Sequence, residues 1–205
     1  ILDFVRDGLR KDHVDLYLQP TVSLPQRKRR FFECYNHIRT NDGTVITQEQ
    51  YKQLAIDAGI LSAIDNMLLF RCMQLLRKVN GQDYSMAFFC NIVKHSLLDK
   101  EFFMKFAQYL KTHEMLAPNI VLELPQADYM ASKDALITPM KILGKMGYRF
   151  SLDNVTDYNI NVTELLERNF GYLKIDANLI VQQTNKGEGH LFRAFKQRMD
   201  EVGID

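Results

Sequence analysis

The stretch from Met146 to Asp176, MGYRFSLDNVTDYNINVTELLERNFGYLKID, reads as one strand–loop–helix–strand unit. Tyr148 to Leu152 is a short strand run entered through Gly147, and Asp153-Asn154-Val155-Thr156-Asp157 is a polar loop. Thr163-Glu164-Leu165-Leu166 opens a short helix, and Gly171 to Ile175 is the returning strand. A strand that returns parallel after a helix makes a right-handed crossover, so both strands end at the same edge of the sheet. Asp153 then closes the first strand and Lys174 nearly closes the second. An acid and an amine are delivered side by side at the edge where α/β proteins keep their chemistry.

The alternation continues on both sides of this unit. Tyr84 to Cys90 is a strand ended by Asn91, Asp99 to Thr112 a helix, Asn119 to Leu124 a strand and Ser132 to Lys145 a helix. Downstream, His190 to Glu201 is a last helix, and Val202-Gly203-Ile204 looks like the start of another strand. Near the beginning, Val14 to Leu18 is a strand ended by Gln19-Pro20, and Arg30 to Tyr35 is the next. The short link between them makes that pair antiparallel. Asn41-Asp42-Gly43 is a turn signal, Thr47 starts a helix with Glu49 near its first turn, and Leu61 to Val79 is a long core helix. Ile1, Leu2, Val5 and Leu9 have helical spacing, so residues 1–12 read as a lead-in helix or linker, with a coiled-coil tail as the sharper alternative.

Repeated β–α units in one unbroken domain, residues 13–205, predict an α/β fold with a parallel sheet, a TIM-like (β/α) barrel with helices outside. Six strand runs and the start of another fall short of the roughly eight that a closed barrel needs. The expectation is therefore a barrel truncated before its last strands and C-terminally incomplete, or one whose gap a partner closes.

Composition narrows the function classes. Of 205 residues 46% are apolar, and 26 basic against 25 acidic residues give a net charge of +1, so no global field draws the chain onto nucleic acid or anionic lipid. The basic run Arg27-Lys28-Arg29-Arg30 reads as a solvated hairpin turn, or else as a patch for a membrane or partner. Cys34, Cys72 and Cys90 are odd in number, lie in apolar segments and lack metal-finger spacing. They read as reduced, buried small hydrophobes of a cytoplasmic protein. No apolar run approaches transmembrane length and no signal peptide opens the chain. No membrane contact is expected from this segment, which leaves room for a tether elsewhere in a longer protein.

The strand ends carry the candidate chemistry: Glu33, Asn91, Glu123, Asp153 and Asn154, then Lys174 and Asp176. Glu123 stands in the apolar run Ile120 to Leu124, where an unpartnered carboxylate would cost several kcal/mol. Glu33, Asn91, Glu123 and Asp153 form an all-oxygen set suited to a hard divalent cation, Mg²⁺, Mn²⁺ or Ca²⁺. A buried salt bridge from these acids to Lys174 satisfies the same sequence, and the residues alone do not choose between the two.

At these residues the chain resembles the EAL-domain family of bacterial cyclic di-GMP phosphodiesterases, from about Asp15 to Val202. Leu18-Gln19-Pro20 resembles the opening YQP strand, whose Gln contacts the ligand. Glu33-Cys34-Tyr35-Asn36-His37 stands at the Glu-Ala-Leu-x-Arg signature, Asn91-Ile92-Val93 at Asn-Leu-Ser and Glu123-Leu124-Pro125-Gln126 at Glu-Ile-Thr-Glu. Asp153 to Tyr158 stands at the Asp-Asp-Phe-Gly-Thr-Gly loop, and Leu173-Lys174-Ile175-Asp176 is intact. Ile64-Asp65-Asn66 further resembles a TipF-like branch of degenerate EAL proteins linked to flagellar assembly at the cell pole.

The resemblance implies an EAL-type barrel and a ligand set of Gln19, Glu33, His37, Arg39, Asn91, Asp153, Asn154, Lys174 and Asp176. It implies one divalent cation on Glu33, Asn91, Glu123 and Asp153, and a second metal site lost because Asn154 replaces an Asp. His37 replaces an Arg that clamps phosphate, with Arg39 two positions on as a substitute on the same strand face. Gln126 replaces a Glu that supports the loop, and the loop has lost both glycines. Lys174 is the family's assisting Lys, but no catalytic residue is assigned with it. The expectation is a non-catalytic receptor for cyclic di-GMP that signals to a flagellar or polar protein partner, cytoplasmic or part of a membrane-anchored protein. A weakly active phosphodiesterase and a nucleotide-free scaffold are the alternatives.

Overall fold

The computed structural model describes residues 1–22, 30–79 and 86–205, which group into two compact units, Ile1–Val93 and Lys94–Asp205. The basic residues Arg27, Lys28 and Arg29, and Tyr84 where a strand was expected to begin, lie outside the described residues.

The first unit opens with α1 (Leu2–Arg10), followed by β1 (Val14–Val22) and β2 (Arg30–Arg39). These strands form the expected antiparallel pair, with Val14 opposite Ile38 and Gln19 opposite Glu33. Both outrun the expectation. β1 does not end at Gln19-Pro20, because a proline is tolerated in an outer strand, where its missing N–H can face away from the ladder. β2 carries on past Tyr35 to Arg39, and its faces alternate. Cys34, Asn36 and Ile38 are buried, Glu33, Tyr35 and His37 are half-buried, and Arg39 is exposed. β3 (Val45–Ile46) pairs with β2 after the Asn41-Asp42-Gly43 turn, with Gly43 at φ +86° as that turn requires. α2 (Gln48–Asp57) follows, where Thr47 donates its backbone N–H to Gln50 Oε1 at 2.8 Å. α3 (Leu61–Val79) occupies the span its periodicity predicts and buries Ile64, Leu68, Cys72 and Leu76 along one stripe. β4 (Met86–Asn91) then runs parallel to β2, with Glu33 beside Phe89. Val5, Val14, Ile38, Ile46, Tyr51, Ala55 and Ile64 close a core between α1, the strands and the helices, each large side chain contributing about 1.5–3 kcal/mol.

The second unit begins with α4 (Lys94–Leu98) and α5 (Lys100–Lys111), the latter capped by Asp99, whose carboxylate accepts from the Phe102 N–H at 2.7 Å. Three parallel neighbours come next: β5 (Ile120–Pro125), β6 (Arg149–Val155) and β7 (Phe170–Ile175). α6 (Gln126–Lys145) and α7 (Val162–Glu167) are their crossovers, as the Met146–Asp176 stretch predicts. Ile120 to Leu124 are fully buried, so β5 is covered on both faces. α6 starts six residues before the expected Ser132, at Gln126, because its polar first turn shows no apolar period. α8 (Ala177–Asn185) was not foreseen: none of its residues is fully buried, so it carries no core-facing stripe. α9 (Gly189–Val202) closes the chain's helices. Val202 ends that helix and Gly203 is its left-handed cap at φ +75°, so the strand expected from Val202 does not form there and the chain instead meets β7 at Asp205. There the Asp205 N–H donates to Gly171 O at 3.0 Å and its carbonyl accepts from the Leu173 N–H at 2.8 Å.

Candidate functional site

In the first unit the strand register gathers the predicted residues on one face. Gln19 opposite Glu33 and Asp15 opposite His37 share a side of the β1–β2 ladder, and Arg39 follows by alternation. The parallel register with β4 places Phe89 beside Glu33 on that face, and Asn91 two residues on points the same way. The Phe31 and Phe89 rings meet on that face, tilted by 35° with centroids 5.3 Å apart. Two of the polar groups are engaged locally. The His37 ring lies on Tyr17 at 4.0 Å, and Arg39 donates Nε and Nη2 to Asp15 Oδ2 at 3.0 and 2.5 Å. The carboxylate holds the Arg39 guanidinium above its usual range.

In the second unit Glu123 of β5 stands beside Ser151 of β6, which stands beside Tyr172 of β7. Alternation then puts Asp153 and Lys174 on that same face. Lys174 Nζ spans the central strand and meets Glu123 Oε2 at 2.8 Å. Glu123 is fully buried while the Lys174 side chain is 24% exposed, so the carboxylate is held by a cation that water still reaches. The Ser151 hydroxyl, on the strand the pair spans, is buried with no hydrogen-bond partner among the described residues. The ion pair is present at Glu123, and its carboxylate and that of Asp153 also share the chemistry of a hard-cation donor set.

Asp153 and Asn154 do not form the loop expected after the strand; β6 runs through both to Val155. Leu152 faces Leu173 and Val155 faces Ile175, so the two residues between them oppose Lys174 alone. That is a β-bulge, the element that re-aims side chains at strand ends. Asn154 takes φ +52°, a conformation Asn tolerates, and is exposed, whereas Asp153 stays half-buried. Asp176 caps α8, its carboxylate accepting from the Asn178 N–H at 2.8 Å. The loop proper starts at Thr156 and is pinned by the buried amide of Gln126. Its Oε1 accepts from the Thr156 and Asp157 N–H groups at 2.9 and 3.1 Å, and its Nε2 donates to Asp157 O at 2.7 Å. Beyond it lies a feature that no sequence signal announces, a cavity of about 530 Å³ between this loop, α8 and α9. Tyr158 and Phe195 stack across it at 4.6 Å, and Arg198 donates to Tyr158 O at 3.1 Å.

The family model described as EAL domain matches residues 3–205. The chain belongs to the EAL domain family. No curated protein matches it in a sequence comparison. Among solved structures, the FimX EAL domain of Pseudomonas aeruginosa bound to c-di-GMP is similar with TM-score 0.82 and 17% identity, over 98% of this chain and 81% of that one. The PaMucR phosphodiesterase in complex with c-di-GMP is similar with TM-score 0.83 and 19% identity, over 99% and 83%. The Vibrio cholerae LapD S helix-GGDEF-EAL protein bound to c-di-GMP gives TM-score 0.82 and 17% identity over 99% of this chain, which spans about half, 49%, of LapD. The expected α/β, TIM-like barrel fold with a mostly parallel sheet is the one these EAL structures share. Among the described residues no helix is long and apolar enough to cross a membrane.

Within this EAL domain the sequence-predicted residues fall into two sets. Gln19, Glu33, His37, Arg39 and Asn91 share a face in the first unit, and Glu123, Asp153 and Lys174 share one in the second. Asn154 and Asp176 stand apart from the latter, one turned out at the bulge and the other tied to a helix end.

Proposed function

We propose that this EAL domain is a non-catalytic receptor for cyclic di-GMP that passes its ligand state to a protein partner. One observation carries the reading. At the position where the family's second-metal Asp would stand, Asn154 is uncharged and exposed on a left-handed bulge. Hydrolysis with two cations needs both to hold attacking and leaving oxygens in line, whereas ground-state binding does not need an aligned nucleophile. The neighbours bound to c-di-GMP, FimX, LapD and PaMucR, support the ligand class.

In this reading Gln19, Glu33, His37, Asn91, Asp153 and Lys174 meet the dinucleotide, and one divalent cation takes oxygens from Glu33, Asn91, Glu123 and Asp153. Such a cation would neutralise phosphate charge. The partner belongs with flagellar assembly or motility, on the strength of the Ile64-Asp65-Asn66 resemblance, and the domain works in the cytoplasm. The Glu123–Lys174 pair favours a second reading, a slow phosphodiesterase, since that Lys is the family's assisting residue. The Arg39–Asp15 bond favours a third, a nucleotide-free scaffold, since it occupies the cation that would replace the lost phosphate clamp.

Calorimetry on the full-length protein with cyclic di-GMP and Mg²⁺ or Ca²⁺ separates the three. The receptor reading expects saturable heat, a raised melting temperature and no linear dinucleotide after prolonged incubation with Mn²⁺. Product that Glu33→Ala abolishes establishes the enzyme. Absence of both heat and thermal shift establishes the scaffold.

A further inference from the structure

Cys34 on β2, Cys72 on α3 and Cys90 on β4 are widely separated in sequence, yet their sulfur atoms lie within 4.8 Å of one another. All three are completely buried and none is in a disulfide. The β2–β4 register explains half of this: Phe32 stands beside Phe88, and two residues on Cys34 and Cys90 point the same way. α3 supplies the rest, its buried stripe of Leu68, Cys72 and Leu76 facing the strands. Among the described residues this is the one group of three His, Cys, Asp or Glu side chains whose ligand atoms come together so closely.

From this convergence we propose that Cys34, Cys72 and Cys90 form a buried three-sulfur site for a thiophilic metal ion of the monovalent copper class. A metal–sulfur bond of about 2.3 Å sets three ligands of one ion about 4 Å apart, inside the observed spacing. An all-thiol set selects soft ions, Cu(I) or Zn²⁺, over Mg²⁺ or Ca²⁺. Coordination number decides between the two. Structural zinc takes four ligands, and catalytic zinc three and a water. Among the described residues three sulfurs converge without a fourth side chain of those types, and all three are closed off from bulk solvent. Monovalent copper is content with three sulfurs in a plane.

The site would join both strands to the long helix from behind the candidate ligand face. Cys34 follows Glu33 and Cys90 precedes Asn91, with side chains on opposite sides of the strands. A filled site would therefore fix the spacing of β2 and β4 beneath two residues of the opposite face. Recognition of this metal does not depend on cyclic di-GMP binding.

The test is an anaerobic titration of the reduced full-length protein with Cu(I) held by bicinchoninate. The expected result is withdrawal of about one copper per chain, X-ray absorption showing a shell of sulfur neighbours only, and retention in excess Zn²⁺. Cys72→Ala is expected to weaken retention by at least about a hundredfold. Should that variant fail to fold, the absorption spectrum of the unaltered protein decides alone. Copper left with bicinchoninate, a shell containing nitrogen or oxygen, or displacement by Zn²⁺ overturns the proposal.

Discussion

The Lys174–Glu123 pair offers the sharpest test of how the second unit is held. Replacing Lys174 with Met removes the cation 2.8 Å from a fully buried carboxylate. Breaking a buried pair from one side costs about 3–5 kcal/mol, because the remaining charge is left in low dielectric. Lys174 is 24% exposed, so water can enter where the ammonium was, and the lower end, about 3 kcal/mol, is expected. Glu123→Gln should cost about 1–2 kcal/mol, since the freed ammonium can hydrate and the amide keeps an acceptor. In the double variant no charge remains buried, so the losses should not add, and a coupling of about 2 kcal/mol is expected. Urea unfolding of the four proteins measures it through shifts of midpoint at constant slope. Lys174→Met alone should lower the melting temperature by roughly 6–12 °C for a domain of this size. A second arm tests the cation reading. If Glu123 also serves a divalent ion, Mg²⁺ at about a hundred times its dissociation constant should return about 2.7 kcal/mol to Lys174→Met. Fully additive losses in the double variant would show that the two side chains do not sustain each other, and the account of the pair would be wrong.

Three further outcomes are expected. Burial pushes the Asp65 carboxyl up from 3.8 to about 8, against the opposing pull of Lys52 and the Val93 N–H. The folded chain thus binds that proton more tightly than the unfolded one, and stability should fall as pH rises through about 4 to 8, by up to about 1.4 kcal/mol per unit. Asp65→Asn should remove that slope and be the more stable protein at pH 8, as read by unfolding midpoints across pH. Gly8→Ala places a methyl 2.4 Å from Cγ2 of the fully buried Ile38, so despite Ala's better helix propensity it should destabilise by about 1–2 kcal/mol in denaturant melts. Gln126→Ala removes three hydrogen bonds to the loop, and hydrogen exchange at the Thr156 and Asp157 amides should quicken by about ten- to a hundredfold; unchanged protection would mean that Gln126 does not hold the loop.

What could be read from the chain was what depends on period and spacing. Strand alternation alone predicts that Glu33, His37 and Arg39 share a face, and a short link alone predicts that β1 and β2 are antiparallel. The βαβ order around Asp153 and Lys174 was equally legible. Features that depend on three-dimensional neighbours were not. The bulge at Asp153-Asn154 arises from a register shift against β7, which no local residue signals as strongly as glycine would have. The cysteine cluster escaped because its members come from two strands and a helix, so sequence spacing carries no trace of it. α8 escaped because solvent, not core, meets most of its surface.

On the receptor reading proposed above, the departures that the resemblance implies can be set beside their surroundings. His37 has lost a guanidinium's reach but gained a ring contact with Tyr17. Asn154 has lost a charge at a left-handed position where its own residue type is well tolerated. Gln126 differs from a Glu in one property that its contacts use: it donates as well as accepts, so it binds both N–H groups and a carbonyl of the same loop turn. A carboxylate there could only accept, and the Asp157 carbonyl would face it unbonded. On that reading each residue stands where the resemblance expects chemistry suited to turnover, and Gln126 in addition fixes the loop backbone with three hydrogen bonds. A loop that must gate a metal during catalysis needs the opposite, since gating requires low local stability. A binding surface that has only to present one shape is served by fixity, because less ordering is then required when ligand arrives. The loop held by Gln126 is therefore the feature that fits the proposed receptor better than an enzyme that must gate its metal.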